Sequence, residues 1–402
     1  MENLIAAHER ILQNFESRFE RTMDIDWNDR LIGLTGARGV GKTSFLINHI
    51  IKNLSSESNA LYISMDDIQI STMTLVECAD NWVKLGGTHL FIDEIHKYPN
   101  WSQELKNIYD RYQKLKVVFT GSSLLHIQSG KADLSRRAVG YVMNGLSLRE
   151  FIQIQSGENF PKIELEDLVK NHTNIAREIV TKIHPLAYYS EYIKHGYYPF
   201  FLESTKTYSQ KLLNTITLML ETDLPYMRNV EVKYIHKLKK LVYLVSHALP
   251  YQPNVSKLSG DLEVSRNTIM LYLTYLEDAK LFNLLQSKSS SEAILAKPEK
   301  VYLHHPNLMY AIGKNTILDG TVRESFFYNQ VANVHKVSAS QHADFLIDGE
   351  FTFEIGGKNK TKKHLSAGRH EIKDIPNSYI AADNLEIGSG KTIPLWLFGF
   401  LY

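Results

Sequence analysis

The chain has 402 residues, a formal net charge of +1, 44% apolar residues and 22% charged ones. That length exceeds what one ordinary core organises, so two or three domains are expected. The balanced charge excludes a general polyanion binder and leaves any nucleic-acid contact to a local basic patch. A single cysteine, Cys78, excludes an internal disulfide and a cysteine-based metal cage, and fits a reducing compartment.

The first segment, MENLIAAHERILQNFESRFE, places Leu4, Ile5, Ile11, Leu12, Phe15 and Phe19 at helical spacing with charges between them. This predicts an amphipathic helix rather than a signal peptide, whose apolar core would be unbroken. No run approaches the roughly 20 apolar residues that cross a bilayer. A cytoplasmic protein with no membrane partner is expected.

Next, LIGLTGARGVGKTSFLINHI gives an apolar strand from Leu31 to Thr35, a glycine-rich turn, and a helix beginning at Lys42. Gly36, Gly41, Lys42 and Thr43 match G-x-x-x-x-G-K-[ST] in full. Glycines let successive backbone N–H groups curl around a phosphate, and the helix N-terminus adds positive potential. The loop Gly36, Ala37, Arg38, Gly39, Val40, Gly41, with Lys42, Thr43 and Ser44, is therefore expected to bind ATP. Lys42 would reach the β and γ phosphates and Thr43 would ligate Mg²⁺.

A second strand, ALYIS (60–64), ends in Asp66-Asp67, and THLFIDEIH (88–96) delivers Asp93 and Glu94 to the end of a third. An acid pair there suits in-line hydrolysis, Asp93 holding Mg²⁺ and Glu94 polarising the attacking water. The fourth strand, LKVVFTGSS, ends in Thr120, Ser122 and Ser123, where a polar side chain can sense the γ-phosphate or position water. KADLSRRAVGY then offers Arg136 and Arg137 to neutralise transition-state charge, from the same subunit or a neighbour. A fifth strand, Val139 to Met143, closes the unit.

The string GARGVGKT, YISMDD, LFIDEIHKYPNW, VVFTGSS, DLSRRA, LSLREF resembles prokaryotic AAA-type ATPases, densely over residues 30–155 and more loosely beyond. The resemblance implies a parallel sheet in the order 5-1-4-3-2. It makes Lys42 and Thr43 the phosphate and magnesium contacts, Asp93 and Glu94 the Walker B pair, and Ser122 or Thr120 the sensor. Arg136 stands where such proteins often have glycine, so Arg137 is the better match to their arginine. A ring or dimer of identical chains is the assembly such relatives suggest.

From about 160 to 250 the pattern turns helical, with a turn at Gly196 and Pro199 among aromatics. Residues 254–285 read as helix, turn, helix, the second helix capped by Ser265 and burying Ile269, Tyr272, Leu273, Leu276 and Leu281. The polar QSKSSSE at 286–292 fits the tip of a wing between two strands. Docked on DNA, Arg266, Asn267 and Thr268 would face the groove, although Glu277 and Asp278 sit later on the same helix.

KVYLHHPNLMYAI (300–312) reads as an edge strand and turn; on a strand His304 and His305 point to opposite faces and cannot readily share one metal. A helix then carries Glu324, and two strands present Asp344 and Glu354. This order resembles the core of the PD-(D/E)xK nuclease fold, which implies carboxylates on a divalent metal and a lysine at the hydroxide or phosphate. The chain departs from that pattern: the residue two after Glu354 is Gly356, not lysine, and Asp344 lacks the usual preceding proline. Lys358 would share the face of Glu354 on a regular strand. The alternative is a retained fold whose residual acids and lysines 358, 360, 362 and 363 form a solvated or phosphate-docking face.

Near the end, LEIGSGKTIP repeats GKT, but Leu385 stands where the first loop has Gly36, and ten residues after Thr392 leave no room for a helix, strand and acidic pair. A turn between two apolar strands, YIAADNLEI and IPLWLFGFLY, is expected there, so the chain has one P-loop. The expected whole is an α/β chain: a P-loop ATPase domain (1–155), a helical connector (156–230), a winged helix-turn-helix (231–299) and a nuclease-like α/β domain (300–402). Three functions fit: an ATP-driven switch or motor acting on a partner such as DNA, an ATP-gated DNA nuclease, and a nucleotide-dependent binding module with slow turnover.

Overall fold

Four apolar runs, LIGLTG, ALYIS, HLFID and KVVFTGS, carry no alternation, as strands covered on both faces require. In a computed structural model each is a strand of one parallel sheet. The structure describes residues 1–402 except 22, 55–58, 69, 71–72, 125–133, 249–250, 288–296, 314–316 and 359–375. The chain separates into two units, Met1–Gly145 and Leu146–Tyr402.

The first unit runs α1 (Glu2–Gln13), β1 (Leu31–Gly36), α2 (Lys42–Asn53), β2 (Ala60–Ser64), α3 (Leu75–Lys84), β3 (His89–Asp93), α4 (Trp101–Arg111), β4 (Lys116–Ser122) and β5 (Val139–Met143). The sheet order is β2-β3-β4-β1-β5, the order the resemblance implied, and all pairs are parallel. Helix α1 stops at Gln13, so Phe15 and Phe19 lie beyond it. Its cap Asn14 has a short amide that competes with the helical backbone. Strand β2 is a sheet edge, and one of its outward donors is satisfied by α1: the Tyr62 N–H donates to His8 Nδ1 at 3.1 Å.

The second unit opens with helices α5 (Leu148–Ser156), α6 (Leu165–Val180), α7 (Pro185–His195) and α8 (Tyr208–Leu218). A π-helical stretch, Met219–Asp223, leads into α9 (Leu224–Arg228), and α10 (Ile235–Ser246) follows. Then come α11 (Val255–Leu262), α12 (Arg266–Asp278) and an antiparallel pair, β6 (Phe282–Leu285) with β7 (Lys300–Leu303). Ser265 caps α12, its hydroxyl accepting the Thr268 N–H at 3.1 Å; Ile269, Tyr272, Leu273 and Leu276 are buried on its inner face, while Leu281, also buried, lies past the end of the helix. The expected wing tip lies from 288 onward outside the described residues.

The remainder comprises α13 (Pro306–Ile312), α14 (Asp319–Ala332), β8 (Val337–Ala339), β9 (Phe345–Ile347), β10 (Phe351–Gly356), β11 (Ser378–Ala382) and β12 (Thr392–Pro394). The sheet order is β12-β11-β10-β9-β8, with β8, β9 and β10 antiparallel and β10, β11 and β12 parallel. Two expectations are corrected. The segment 300–312 is strand only to Leu303, because Pro306 opens α13 at a first-turn position where its missing N–H costs nothing. The apolar C-terminus is buried but pairs only through Pro394, after which Leu395–Phe400 coil into a 3₁₀ helix. Proline offers no donor to continue the ladder.

Candidate nucleotide site

The phosphate-loop residues stand between the C-terminal end of β1 and the N-terminus of α2. Gly39 (φ 86°) and Gly41 (φ 97°) occupy the left-handed region that glycine adopts without strain. Gly36 has a second duty, since a Cβ there would stand 2.3 Å from the Met143 carbonyl oxygen across the β1–β5 pairing. Ala37 and Val40 are buried, Arg38 is half-buried, and Gly39 and Ser44 are exposed. Lys42 is 5% exposed, and its ammonium donates to the carbonyls of Gly36 (2.9 Å) and Ala37 (3.0 Å), which solvate a charge held out of water. Arg21 donates to Val40 O (3.4 Å), Asn144 O (2.6 Å) and Gly145 O (3.1 Å), tying the loop to the end of β5.

Asp93, at the end of β3, is buried among hydroxyls. Its Oδ2 accepts from Thr43 Oγ1 at 2.7 Å and from the Tyr62 hydroxyl at 2.9 Å, and its Oδ1 accepts from Thr120 Oγ1. Thr120 Oγ1 also accepts the Glu94 N–H at 3.0 Å, so its hydroxyl supports both acids. Ser122 ends β4, where its hydroxyl accepts the Leu124 N–H at 3.3 Å. Glu94 sits in the left-handed region (φ 55°), its side chain 19% exposed. Burial raises its carboxyl above the ordinary carboxylate value; Lys42 opposes the rise, Asp93 adds to it, and Arg38 and Lys97 oppose it. His96 lies against it, with Nε2 3.3 Å from Glu94 Oε2.

Thr43 and Asp93 are hard oxygen donors placed together beside a lysine at a helix N-terminus. That set fits Mg²⁺, which takes one or two protein oxygens and completes its shell with phosphate and water. Tyr62, His96 and Arg21 had no role in the sequence reading. Tyr62 and His96 lie inside the quoted strand motifs, but spacing does not reveal which polar side chain a fold turns toward an acid.

Arg137 lies elsewhere. Its guanidinium grips Asp110 of α4 in a two-point pair, Nε to Oδ1 at 2.9 Å and Nη2 to Oδ2 at 3.2 Å. It precedes Val139, which pairs with Ile32 at the start of β1, so it stands at the N-terminal edge of the sheet. The phosphate loop follows the other end of β1, roughly 20 Å away at the rise of a strand. Arg136 is exposed.

In the second unit Glu324 and Asp344 converge, and the cation between them is Lys300: its Nζ is 3.4 Å from Glu324 Oε2 and 3.4 Å from Asp344 Oδ1. The Tyr302 hydroxyl donates to Glu324 Oε2 at 2.5 Å, and the Ile355 N–H donates to Asp344 Oδ2 at 2.9 Å. Burial raises the Glu324 carboxyl, and Asp344 raises it further against the pull of Lys300. Burial works against the Lys300 ammonium, yet the two carboxylates together hold its pKa above the ordinary lysine value. Lys300 and Asp344 line a cavity of about 820 Å³. Glu354 is half-buried on β10, while Lys358 lies past the end of that strand and is exposed. The strand stops at Gly356, so the alternation that would have carried Lys358 to the face of Glu354 does not extend to it. Lysines 360, 362 and 363 lie outside the described residues. Among the described residues no three His, Cys, Asp or Glu side chains are placed to hold a metal ion. His304 and His305 are buried, His304 Nδ1 lying 2.7 Å from Asn283 Oδ1 and His305 Nδ1 accepting the Asn307 N–H at 3.2 Å.

On α12, Arg266 and Asn267 are exposed and Thr268 is half-buried. The two acids further along are engaged internally: Glu277 Oε1 accepts the Leu284 N–H at 2.9 Å, and Asp278 Oδ2 pairs with Arg228 Nη2 at 2.7 Å. The C-terminal GSGKT is a turn between β11 and β12, closed by reciprocal backbone bonds between Ser389 and Thr392 (3.1 and 3.0 Å), with Gly390 left-handed. Lys391 Nζ donates to Ser378 Oγ at 3.4 Å.

A five-stranded parallel sheet in this order, with a glycine loop and an acid pair at its carboxyl edge, defines a P-loop NTPase core. Residues 28–152 match the family model described as an AAA domain. Residues 186–317 match a domain of unknown function. An uncharacterised protein of Methanocaldococcus jannaschii is 25% identical over 292 residues, a match that spans 68% of this chain and 61% of that protein. Among solved structures, AMPPCP-bound DnaA from Aquifex aeolicus is 13% identical with a TM-score of 0.25, covering 69% of this chain and 88% of that one. PCH-2 of C. elegans is 16% identical with a TM-score of 0.23, covering 69% and 66%. A katanin from a study of its self-assembly is 24% identical with a TM-score of 0.24, covering 35% and 51%. No helix among the described residues is long and apolar enough to cross a membrane.

Proposed function

We propose that this chain binds ATP with Mg²⁺ at Gly36–Ser44 and hydrolyses it, driving a conformational switch or motor that acts on a partner. The observation that carries the reading is the Thr43–Asp93 hydrogen bond, 2.7 Å, beside a buried Lys42. It joins the start of α2 to the end of β3 at the place where a triphosphate would lie. Lys42 exchanges its two carbonyl partners for β and γ phosphate oxygens, and the α2 N-terminus adds positive potential. Bound Mg²⁺ would neutralise phosphate charge, held by Thr43 and Asp93. Glu94 takes the proton of the attacking water, and the Ser122 hydroxyl is the group assigned to position that water. Arg137 serves in this scheme as a neighbouring copy's contribution to transition-state charge, since its own site is at the other end of the sheet. A Lys42→Ala protein that hydrolyses ATP as fast as the wild type would overturn the reading.

DNA is the partner favoured by one observation: α12 follows a short turn after α11, exposes Arg266 and Asn267, and has both of its later acids internally paired. With β6 and β7 behind it, the segment supports a winged helix. DNA affinity that differs between ATP and ADP states and falls steeply with salt is the expected result. Affinity for no DNA in either state would leave a protein partner for the same switch. A nuclease reading of the second unit, with Glu324, Asp344, Glu354 and Lys358 as its residues, has one supporting observation, the convergence of Glu324 and Asp344, which share Lys300 as counter-ion. Linear and circular DNA incubated with Mg²⁺ or Mn²⁺ and ATP tests it, and no cleavage removes it.

A further inference from the structure

His96 is buried, its side chain 2% exposed, in the 3₁₀ turn Ile95–Lys97 that follows Glu94. A buried imidazole needs partners on both nitrogens. Nδ1 accepts the backbone N–H of Ser122 at 3.3 Å. An imidazole nitrogen that accepts carries no proton, so in the neutral ring the proton resides on Nε2. Nε2 stands 3.3 Å from Glu94 Oε2. The ring therefore spans the end of β4 and the carboxylate expected to take the water's proton, with its one N–H on the side of that carboxylate.

We infer that His96 is a positioning residue for ATP hydrolysis, holding the Glu94 carboxylate through Nε2–H in a place set by the backbone of Ser122. This rests on the ATPase reading above. Its content is a coupling between two parts of the site. Ser122 ends β4 opposite Gly36, the last residue of β1, and any shift of its backbone on nucleotide binding would be passed to Glu94 by a rigid ring. At 3.3 Å the pair lies in ion-pair range without hydrogen-bond geometry, and the inferred bond would form when nucleotide is present, as catalytic hydrogen bonds that are long or poorly aligned in nucleotide-free sites commonly do. Thr120 holds the main chain of Glu94 at 3.0 Å, while His96 lies 3.3 Å from its carboxylate, which also feels the charges of Lys42, Arg38 and Lys97. A carboxylate displaced by about 1 Å can lose on the order of 100-fold in rate without loss of substrate binding.

The test uses the full chain and two substitutions. H96N keeps an acceptor near the Nδ1 position for Ser122 and removes the donor to Glu94; H96Q keeps a donor near the Nε2 position. H96N is expected to lower kcat roughly 10- to 100-fold while ATP affinity and melting temperature stay close to wild type. H96Q should recover most of that loss. In a Glu94→Gln background H96N should cost nothing further, because the two act as a unit. H96N with wild-type kcat, or a loss carried entirely by KM, overturns the inference. Should H96N fail to fold, ¹⁵N-detected NMR of the wild type decides: a proton on Nε2 supports the assignment, and a proton on Nδ1 overturns it. The ATPase reading fails separately, through a Lys42→Ala protein as active as wild type.

Discussion

The Tyr62 hydroxyl donates to Asp93 Oδ2 at 2.9 Å, the same oxygen that accepts from Thr43 at 2.7 Å. Tyr62 also donates its backbone N–H to His8 of α1. One residue of an edge strand thus joins the N-terminal helix to the acid expected to face Mg²⁺. Burial first, then Asp93, pushes the Tyr62 phenol far above its ordinary value, so it remains a donor at every working pH. Tyr62→Phe preserves the ring and removes one bond to a charged acceptor. A loss of about 1.5 kcal/mol in urea unfolding is expected, with ATP hydrolysis largely kept because Thr43 and Thr120 still hold Asp93. A protein as stable as wild type would show that the bond contributes nothing.

Glu277 gives a pH signature in the second unit. Burial, opposed by the Leu284 N–H, raises its carboxyl to about 6. The native state then holds this proton more tightly than the unfolded chain, so stability falls as pH rises from about 4.5 to 6 and stays low above it. A shift of this size corresponds to at most about 2 kcal/mol. Glu277→Gln keeps an acceptor for Leu284 without the charge. The variant should be more stable at pH 7 and should lose this part of the pH slope, as urea titrations at pH 4.5, 6 and 7.5 would show.

Lys300 is the counter-ion of Glu324 and Asp344. Lys300→Met leaves two carboxylates facing each other and is expected to cost about 2 kcal/mol at pH 7.5, less than a fully buried pair because the cavity is open. The raised Glu324 carboxyl takes up a proton as pH falls, so the cost should shrink at pH 5. A cost independent of pH would mean that the lysine acts through packing alone.

Arg137 pairs with Asp110 at the edge of the sheet opposite the phosphate loop. Arg137→Ala should leave stability close to wild type, as for other solvent-exposed ion pairs. ATP hydrolysis by dilute protein should be unchanged, since the residue cannot reach Lys42 in its own chain. A defect that emerges only as protein concentration rises would identify the arginine as a neighbouring copy's contribution; a defect in dilute protein would contradict the placement.

Much of the first unit was legible from local pattern. Buried parallel strands read as unbroken apolar runs, and β2, β5 and the start of α2 fall where composition put them. Ser265 and the inner face of α12 were equally plain, because capping and helical periodicity are local. Less legible were the ends of elements governed by a proline. Pro306 starts a helix and Pro394 ends a pairing, yet each sits in an apolar run that reads as strand.

The amino-acid sequence by itself determined the single P-loop, the acid pair and the order in which the secondary-structure elements follow, because each depends on residues close together along the chain. The tertiary structure alone decided who holds those groups. Tyr62 and His96 meet Asp93 and Glu94, Lys300 meets Glu324 and Asp344, and Arg137 is carried away from the phosphates to Asp110. Most of these partnerships join residues 20 or more positions apart; His96 and Glu94 are near neighbours, but their contact depends on a left-handed turn at Glu94 and on Ser122 anchoring the ring. A buried charge takes whichever dipole or counter-charge the packed backbone brings within about 3 Å, and one-dimensional spacing carries no record of that choice.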